Sequence, residues 1–303
     1  MTKRMTLLAL ICSALLAAIA CAAPRMMIPD DIELVRDVEY GKGGGESLKL
    51  DIIRPKKGPS SRMPAVVFIH GGGWQGGRKE NPDAIAISIK LARKGFVSAT
   101  INYRLTGVAP FPAQIEDCKC AIRWLRAHAN EYNVDPKRIG VWGGSAGGHL
   151  VALLGTSGGA KDLEGTGGWE KESSRVQAVV DLFGPSDLVK LLELARKVGK
   201  GGAAGPLAKL LGGPVDQKKD LARKASPVTY VDKSDPPFLI IHGDQDTVVP
   251  LEQSEILYKA LKEAGVDVTL HVIKGGKHGL SKATVDEAGK LIVEFFEKHL
   301  GRR

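Results

Sequence analysis

Five consecutive apolar residues, Ala65-Val66-Val67-Phe68-Ile69, stand between a proline-, lysine- and serine-rich linker (Pro55 to Pro64) and a run of glycines. A short β-branched run with no polar alternation fits a strand covered on both faces, as in a parallel sheet. The pattern recurs along the chain. Phe96 to Ile101, Arg138 to Trp142, Val176 to Leu182, Phe238 to Ile241 and Val268 to Ile273 read as further strands. Between them, Ile85 to Lys94, Ala113 to Ala129, Ala146 to Leu154, Glu252 to Ala264 and Val285 to His299 carry helical spacing of apolar residues. Strand and helix in turn predict an α/β domain with a mainly parallel central sheet and helices on both faces. Ligands of such sheets bind beyond the carboxyl ends of the strands.

Two segments depart from this rhythm. Ser47 to Ile53 alternates like a half-buried strand ahead of the linker. Gly184 to Asp235 is too long for a plain connection, and it holds a helical piece (Asp187 to Val198), a glycine cluster (Gly199 to Gly205) and a second short amphipathic piece. It reads as a small cap-like insertion, 184–235, that covers a pocket, or else as a flexible surface excursion.

The first twenty residues have a different character. Lys3 and Arg4 precede an apolar run from Leu7 to Ala20 that is followed by small residues, the form of a signal peptide. Ala18-Ile19-Ala20-Cys21 also has the form of a lipobox, which would make Cys21 a lipid-attachment residue; plain cleavage near Ala20 or Ala22 is the other reading. The organisation expected is therefore a leader at 1–20, a linker at 21–36 and a catalytic domain at 37–303. The protein is expected to be exported, either periplasmic or secreted or lipid-anchored to a bacterial membrane.

Of four cysteines, only Cys118 and Cys120 lie beyond the leader and its end, so a disulfide framework is excluded. They sit two apart on a predicted helix, where their side chains diverge. Cys118 falls on the stripe of Ile115, Ile122 and Leu125 and reads as a small core residue. The net charge is +9, but the basic residues are scattered among acidic ones and only 5% of residues are aromatic, so no nucleic-acid partner is expected.

Val141-Trp142-Gly143-Gly144-Ser145-Ala146-Gly147 carries the chemistry. It matches G-x-S-x-G at a strand-to-helix junction, the context in which that turn presents a serine at a helix N-terminus. Neither G-x-G-x-x-G around this serine nor G-x-x-x-x-G-K is present, which argues against a nucleotide site. A serine hydroxyl needs a base and an orienting acid. Asp244 and Asp246 follow the strand ending at His242, and His278 follows the strand ending at Ile273. Spacing does not choose between the two aspartates. His70-Gly71-Gly72-Gly73-Trp74 follows the AVVFI strand, and its glycines let backbone amides approach a developing oxyanion. All these loops fall at one end of one sheet.

These motifs, HGGGW, Tyr103-Arg104-Leu105, Phe111-Pro112-Ala113, GGSAGGH, Ser226-Pro227-Val228-Thr229-Tyr230, HGDQDTVVP and GKHG, resemble those of α/β-hydrolase esterases of the hormone-sensitive-lipase type. The bacterial branch that includes feruloyl and acetylxylan esterases is the most similar. The resemblance runs from about Asp37 to Leu300 and implies an α/β-hydrolase fold. It also implies Ser145 as nucleophile, His278 as general base, Asp246 rather than Asp244 as acid, and the amides of Gly72, Gly73 and Ala146 as oxyanion hole. It departs from the family mainly at Lys197 to Lys224, where the acyl pocket is shaped.

The remaining residues have supporting roles in this reading. His70 and Gly71 order the oxyanion loop, and His149 is a packed or hydrogen-bonded neighbour one helical turn beyond the serine. His271 and His299 are structural, and Trp74 and Phe183 line the pocket or belong to the core. The expectation is a serine carboxylic ester hydrolase working through an acyl-enzyme, without metal or cofactor. Its partner would be a small-molecule or polysaccharide-linked ester, short-chain, acetyl or feruloyl. A peptidase of the same fold, or a non-catalytic surface- or carbohydrate-binding protein on the same scaffold, are the competing functions.

Overall fold

The computed structural model describes residues 27–197, 204–281 and 284–301. The expected leader, its cleavage sites and Cys21 lie outside the described residues, as does part of the glycine cluster at 199–205.

Eight strands form one sheet: β1 (Ile32–Gly43), β2 (Glu46–Pro55), β3 (Met63–Ile69), β4 (Val97–Ile101), β5 (Val134–Gly144), β6 (Ala178–Leu182), β7 (Phe238–Gly243) and β8 (Val268–Ile273). Their spatial order is β1-β2-β4-β3-β5-β6-β7-β8. The pairs β1–β2 and β2–β4 are antiparallel, and all pairs from β4 to β8 are parallel. This is the α/β-hydrolase fold.

The first strand corrects the expected linker at 21–36, because residues 32–36 already belong to β1. Two register irregularities, between Val35 and Val38 and between Glu39 and Gly41, break its alternation against β2. Its place at the sheet edge leaves much of it solvated. A bulged, charged edge strand carries no period-two signal and resists pairing with other chains.

The helices cover both faces. On one, α1 (Pro82–Arg93) and α8 (Val285–Leu300) bury Ile87, Leu91, Ile292 and Phe296 against Val66, Phe68, Trp142 and Val180. On the other, α2 (Ala113–Ala127), α3 (Ala146–Thr156) and α7 (Glu252–Glu263) bury Cys118, Ile122, Leu150, Leu154 and Leu257 against Val67, Val141, Val179 and Ile240. Cys118 and Cys120 are both buried free thiols. The interior strands β3 and β7 are therefore buried along their whole length on both faces, as AVVFI implied.

Between β6 and β7 the chain forms α4 (Leu188–Lys197), α5 (Ala204–Leu211) and α6 (Lys219–Lys224). Leu188, Leu191, Leu207, Leu210 and Ala222 are buried in the larger core, so this segment is packed onto the sheet's carboxyl end rather than being a loose surface excursion.

Candidate active site

Ser145 occupies the step between β5 and α3 with φ 58° and ψ −121°. An L-residue with a side chain is strained there, and the strain is held by packing on both sides. The Ser145 amide donates to the Leu182 carbonyl at 2.9 Å. Gly147 lets α3 sit against β3: a Cβ there would lie 2.1 Å from the Ile69 carbonyl oxygen and 2.8 Å from that of His70. Gly143 and Gly147 are thus spaces that backbone already fills, and Gly144 leaves room for the Phe183 ring.

His278, from the loop after β8, places Nε2 2.9 Å from Ser145 Oγ and Nδ1 2.6 Å from Asp246 Oδ2. The carboxylate can only accept, so Nδ1 carries the proton and Nε2 is free to accept the serine hydroxyl. Asp246 Oδ1 accepts the amides of Val248 and Val249 at 2.8 and 2.9 Å. Burial opposes ionisation of Asp246, yet donors from His242, His278 and the Val249 amide outweigh it and hold its carboxyl well below the usual carboxylate range. The other aspartate, Asp244, is exposed and accepts the Gly275 amide at 2.6 Å, tying the loop after β7 to the loop after β8. The geometry therefore separates the two acids that spacing left equivalent.

The glycine loop after β3 lies beside this group because β3 pairs with β5 in a register that sets Ile69 opposite Gly143. Gly71 comes so close that a Cβ would meet the Gly144 carbonyl oxygen at 2.6 Å and the Ser145 Cβ at 3.5 Å. Gly72, Gly73 and Trp74 all take positive φ, at 110°, 60° and 59°. Among the described residues the amides of Gly72, Gly73 and Ala146 have no acceptor within the chain. His70 is buried and donates from Nδ1 to the Gly71 carbonyl at 2.8 Å, its ring stacked on Tyr103 at 4.3 Å. The Tyr103 hydroxyl donates to the His70 carbonyl at 3.0 Å, fixing the loop's first residue from beneath.

His149 is fully buried beside the glycine loop. Trp74 Nε1 donates to its Nδ1 at 3.1 Å, and its Nε2 donates to the Ala225 carbonyl at 2.7 Å. One imidazole thus joins the glycine loop, α3 and the segment after β6. Burial pushes its pKa down to about 4, so the ring is neutral through the ordinary pH range. His271 bonds Glu287 and His299 sits near Asp267, both remote from Ser145. The partners of Trp74 and His149 were not readable from the sequence, nor was the place of His242, although the last opens the HGDQD stretch at the end of β7.

Two cavities open on Ser145. A cleft of about 660 Å³ runs along Gly72, Phe183, His278 and Leu280 out to the exposed Arg78 and Asp83. Phe183, at φ 44°, turns its ring edge-on to His278 with centroids 5.1 Å apart. On the other side lies a small apolar cavity of about 60 Å³ between Trp74, Ala146, Leu191, Pro206, Leu207 and Val249. Leu191, Pro206 and Leu207 come from the segment between β6 and β7, so that segment roofs the smaller space. Among the described residues no group of three or more His, Cys, Asp or Glu side chains is arranged to hold a metal ion, and no helix is long and apolar enough to cross a membrane.

Compared with known proteins, residues 50–261 match the family model BD-FAE, which is more than half of the chain. Esterase LipQ of Mycobacterium tuberculosis is 31% identical over 268 residues, 88% of this chain and 61% of that protein. The probable carboxylic ester hydrolase LipM of the same organism is 33% identical over 75% of this chain and 51% of its own. The chain thus spans between half and two thirds of these curated relatives. Among solved structures, a truncated carbohydrate esterase from gut microbiota superposes with a TM-score of 0.79 at 35% identity, covering 89% of this chain and 97% of that one. An acetyl ester-xyloside bifunctional hydrolase from Caldicellulosiruptor lactoaceticus superposes with a TM-score of 0.68 at 29% identity, covering 82% and 88%. With a family model matching residues 50–261 and neighbours of this similarity, the chain belongs to the BD-FAE family, among the hormone-sensitive-lipase-like esterases.

Proposed function

We propose that the protein hydrolyses carboxylic esters through Ser145, His278 and Asp246 with an acyl-enzyme intermediate. The observation that carries this reading is the unbroken chain from Ser145 Oγ to His278 at 2.9 Å and from His278 to Asp246 at 2.6 Å, next to three uncommitted amides. His278 Nε2 takes the hydroxyl proton as Ser145 Oγ bonds to the ester carbonyl carbon. The carbonyl oxygen becomes an oxyanion that accepts from the Gly72, Gly73 and Ala146 amides. Asp246 steadies the imidazolium, which then protonates the departing alcohol as the carbon–oxygen bond breaks. Water, deprotonated by the same imidazole, attacks the acyl-Ser145 ester and frees the acid.

The two cavities divide the substrate. About 60 Å³ holds roughly two water-sized groups, room for an acetyl or propionyl chain and not for a feruloyl ring. The cleft of about 660 Å³, open to solvent and edged by Arg78 and Asp83, suits a bulky hydroxylated alcohol such as a sugar residue of a polysaccharide. The printed descriptions of the gut carbohydrate esterase and the acetyl ester-xyloside hydrolase agree with that class. The signal-peptide form of the first twenty residues supports an exported enzyme. Intact mass of the native protein distinguishes an acylated Cys21 from plain cleavage.

The test is turnover of p-nitrophenyl esters from acetyl to long acyl chains, with methyl ferulate and acetylated xylan alongside. Acetyl and propionyl esters are expected to be the best substrates, and acetylated xylan is expected to release acetate. Ser145→Ala is expected to abolish turnover; activity that survives it sinks the assignment. A preference for ferulate would place the acyl group in the larger cleft instead.

A further inference from the structure

Asp246 has a second histidine beside it, one that the catalytic scheme does not use. His242, next to last in β7, is fully buried. Its Nε2 lies 2.8 Å from the Val249 carbonyl oxygen and 3.3 Å from Asp246 Oδ2, the same oxygen that receives His278. A carbonyl only accepts, so Nε2 carries a proton. Nδ1, 2.6 Å from Ser254 Oγ on α7, then accepts the serine hydroxyl. Three polar partners thus fix the ring as the Nε2–H tautomer, with that N–H directed at Val249 and flanked by Asp246 Oδ2. The titratable groups facing His242 are Asp246 on the loop that follows it and Asp181 on β6, and the ring of Phe183 closes the remaining side at 6.4 Å between centroids.

An apolar side chain would fill this space without desolvating a polar ring. It could not donate to the turn. We propose that His242 is a positioning residue for ester hydrolysis: its Nε2–H braces the 246–249 turn and the Asp246 carboxylate, and so aims His278 at Ser145. The proposal rests on the reading of Ser145, His278 and Asp246 as the catalytic groups. Three donors then hold the carboxylate, two amides on Oδ1 and His278 Nδ1 on Oδ2, while the His242 N–H lies 3.3 Å from that same Oδ2 and secures the turn through Val249.

The experiment compares wild type, His242→Leu and His242→Gln by kcat and KM for p-nitrophenyl acetate across pH 5 to 9, with Ser145→Ala as reference. For His242→Leu, kcat is expected to fall about tenfold or more with KM nearly unchanged. Its acid limb should move up by about half a pH unit, because Asp246, sharing its charge with one donor fewer, draws the proton onto His278 more strongly. Gln, whose Nε2–H can face the same oxygens, is expected to restore most of kcat and return the limb. A Leu variant with wild-type kcat and an unmoved limb overturns the proposal, and so does a uniform loss at all pH that Gln does not rescue. Should the Leu variant not fold, ¹⁵N-histidine NMR of the wild type decides: His242 must show a protonated Nε2 that shifts in Asp246→Asn, and the opposite tautomer or an unmoved signal overturns the idea. Turnover that survives Ser145→Ala overturns the triad reading and this proposal together, whereas turnover lost in Ser145→Ala and kept in His242→Leu overturns this proposal alone.

Discussion

The buried His149 makes stability depend on pH in a way that can be worked out from its surroundings. In the unfolded chain a solvated histidine takes up a proton near pH 6.5, while burial holds the folded ring neutral down to about 4. Between those values the unfolded state binds more protons, so stability is full above the unfolded value and drains away as pH falls towards 4. Linkage gives a loss of ~2.5 kcal/mol between pH 7.5 and 4.5 from this one residue. Protonation would also cost the bond from Trp74, because Nδ1 can no longer accept. The perturbation is His149→Asn, whose carbonyl oxygen keeps an acceptor near Trp74 but which has nothing to titrate. At pH 7.5 the variant is expected to be less stable by ~1–3 kcal/mol, chiefly from the Ala225 carbonyl left without its donor. Urea unfolding followed by far-ultraviolet circular dichroism at pH 7.5, 6.0, 5.0 and 4.5 then compares the two proteins. Other buried acids, such as Asp181, pushed up to about 6 by burial, titrate in both and cancel in the difference. The wild-type advantage should shrink by ~2.5 kcal/mol between pH 7.5 and 4.5, enough to remove most of it or to reverse its sign. A difference that stays constant within ~0.5 kcal/mol would refute the claim that this ring is buried neutral.

Two further substitutions probe the site. Gly147→Ala puts a methyl group 2.1 Å from the Ile69 carbonyl oxygen, which must push α3 off β3. A loss of ~3 kcal/mol or more, or failure to fold, is expected; a Tm within about 2 °C of wild type would show that the contact is soft. Asp246→Asn should lower kcat about 10⁴-fold, whereas Asp244→Asn, which keeps an oxygen to accept the Gly275 amide and loses only a solvated charge, should stay within about threefold. Equal losses in the two variants would return the acid to its undecided state.

What was legible in the chain was whatever rested on continuous local pattern. AVVFI and the strand before His242 are uninterrupted apolar runs, FVSATI is broken only by the small Ser98 and Thr100, and each emerges as a buried strand with a parallel neighbour. The loops that follow β3, β7 and β8 carry the groups that meet at Ser145, because parallel strands all end on the same side. Ile32 to Gly43 was partly lost to the linker because its bulges erase the alternation and its edge position permits charge. Asp244 and Asp246 could not be separated by spacing, since both lie on one turn whose path is decided by the amides of Val248, Val249 and Gly275. The bonds of His149 join residues about seventy-five positions away, and no periodicity encodes such partners. His242 reads as the end of an apolar strand, and only the return of α7 through Ser254 gives it polar company.

The segment that roofs the small cavity leaves the sheet after Leu182 and rejoins it at Phe238, on strands that are direct neighbours. None of Ser145, Asp246, His278, Gly72 or Gly73 lies within it. Bond cleavage and acyl size are therefore written in separable stretches of chain. An exchanged or lengthened roof has only to span the same two strand ends, and each doubling of a flexible connection costs only about 0.6 kcal/mol in closure. Several bonds tie the halves together, among them the Ala225 carbonyl on His149, the Leu210 carbonyl on the Phe111 amide and the pairing of Ser186 with Gln253. A transplanted roof that keeps these contacts, the acceptor for His149 above all, would change which esters enter while leaving the oxyanion loop where it stands.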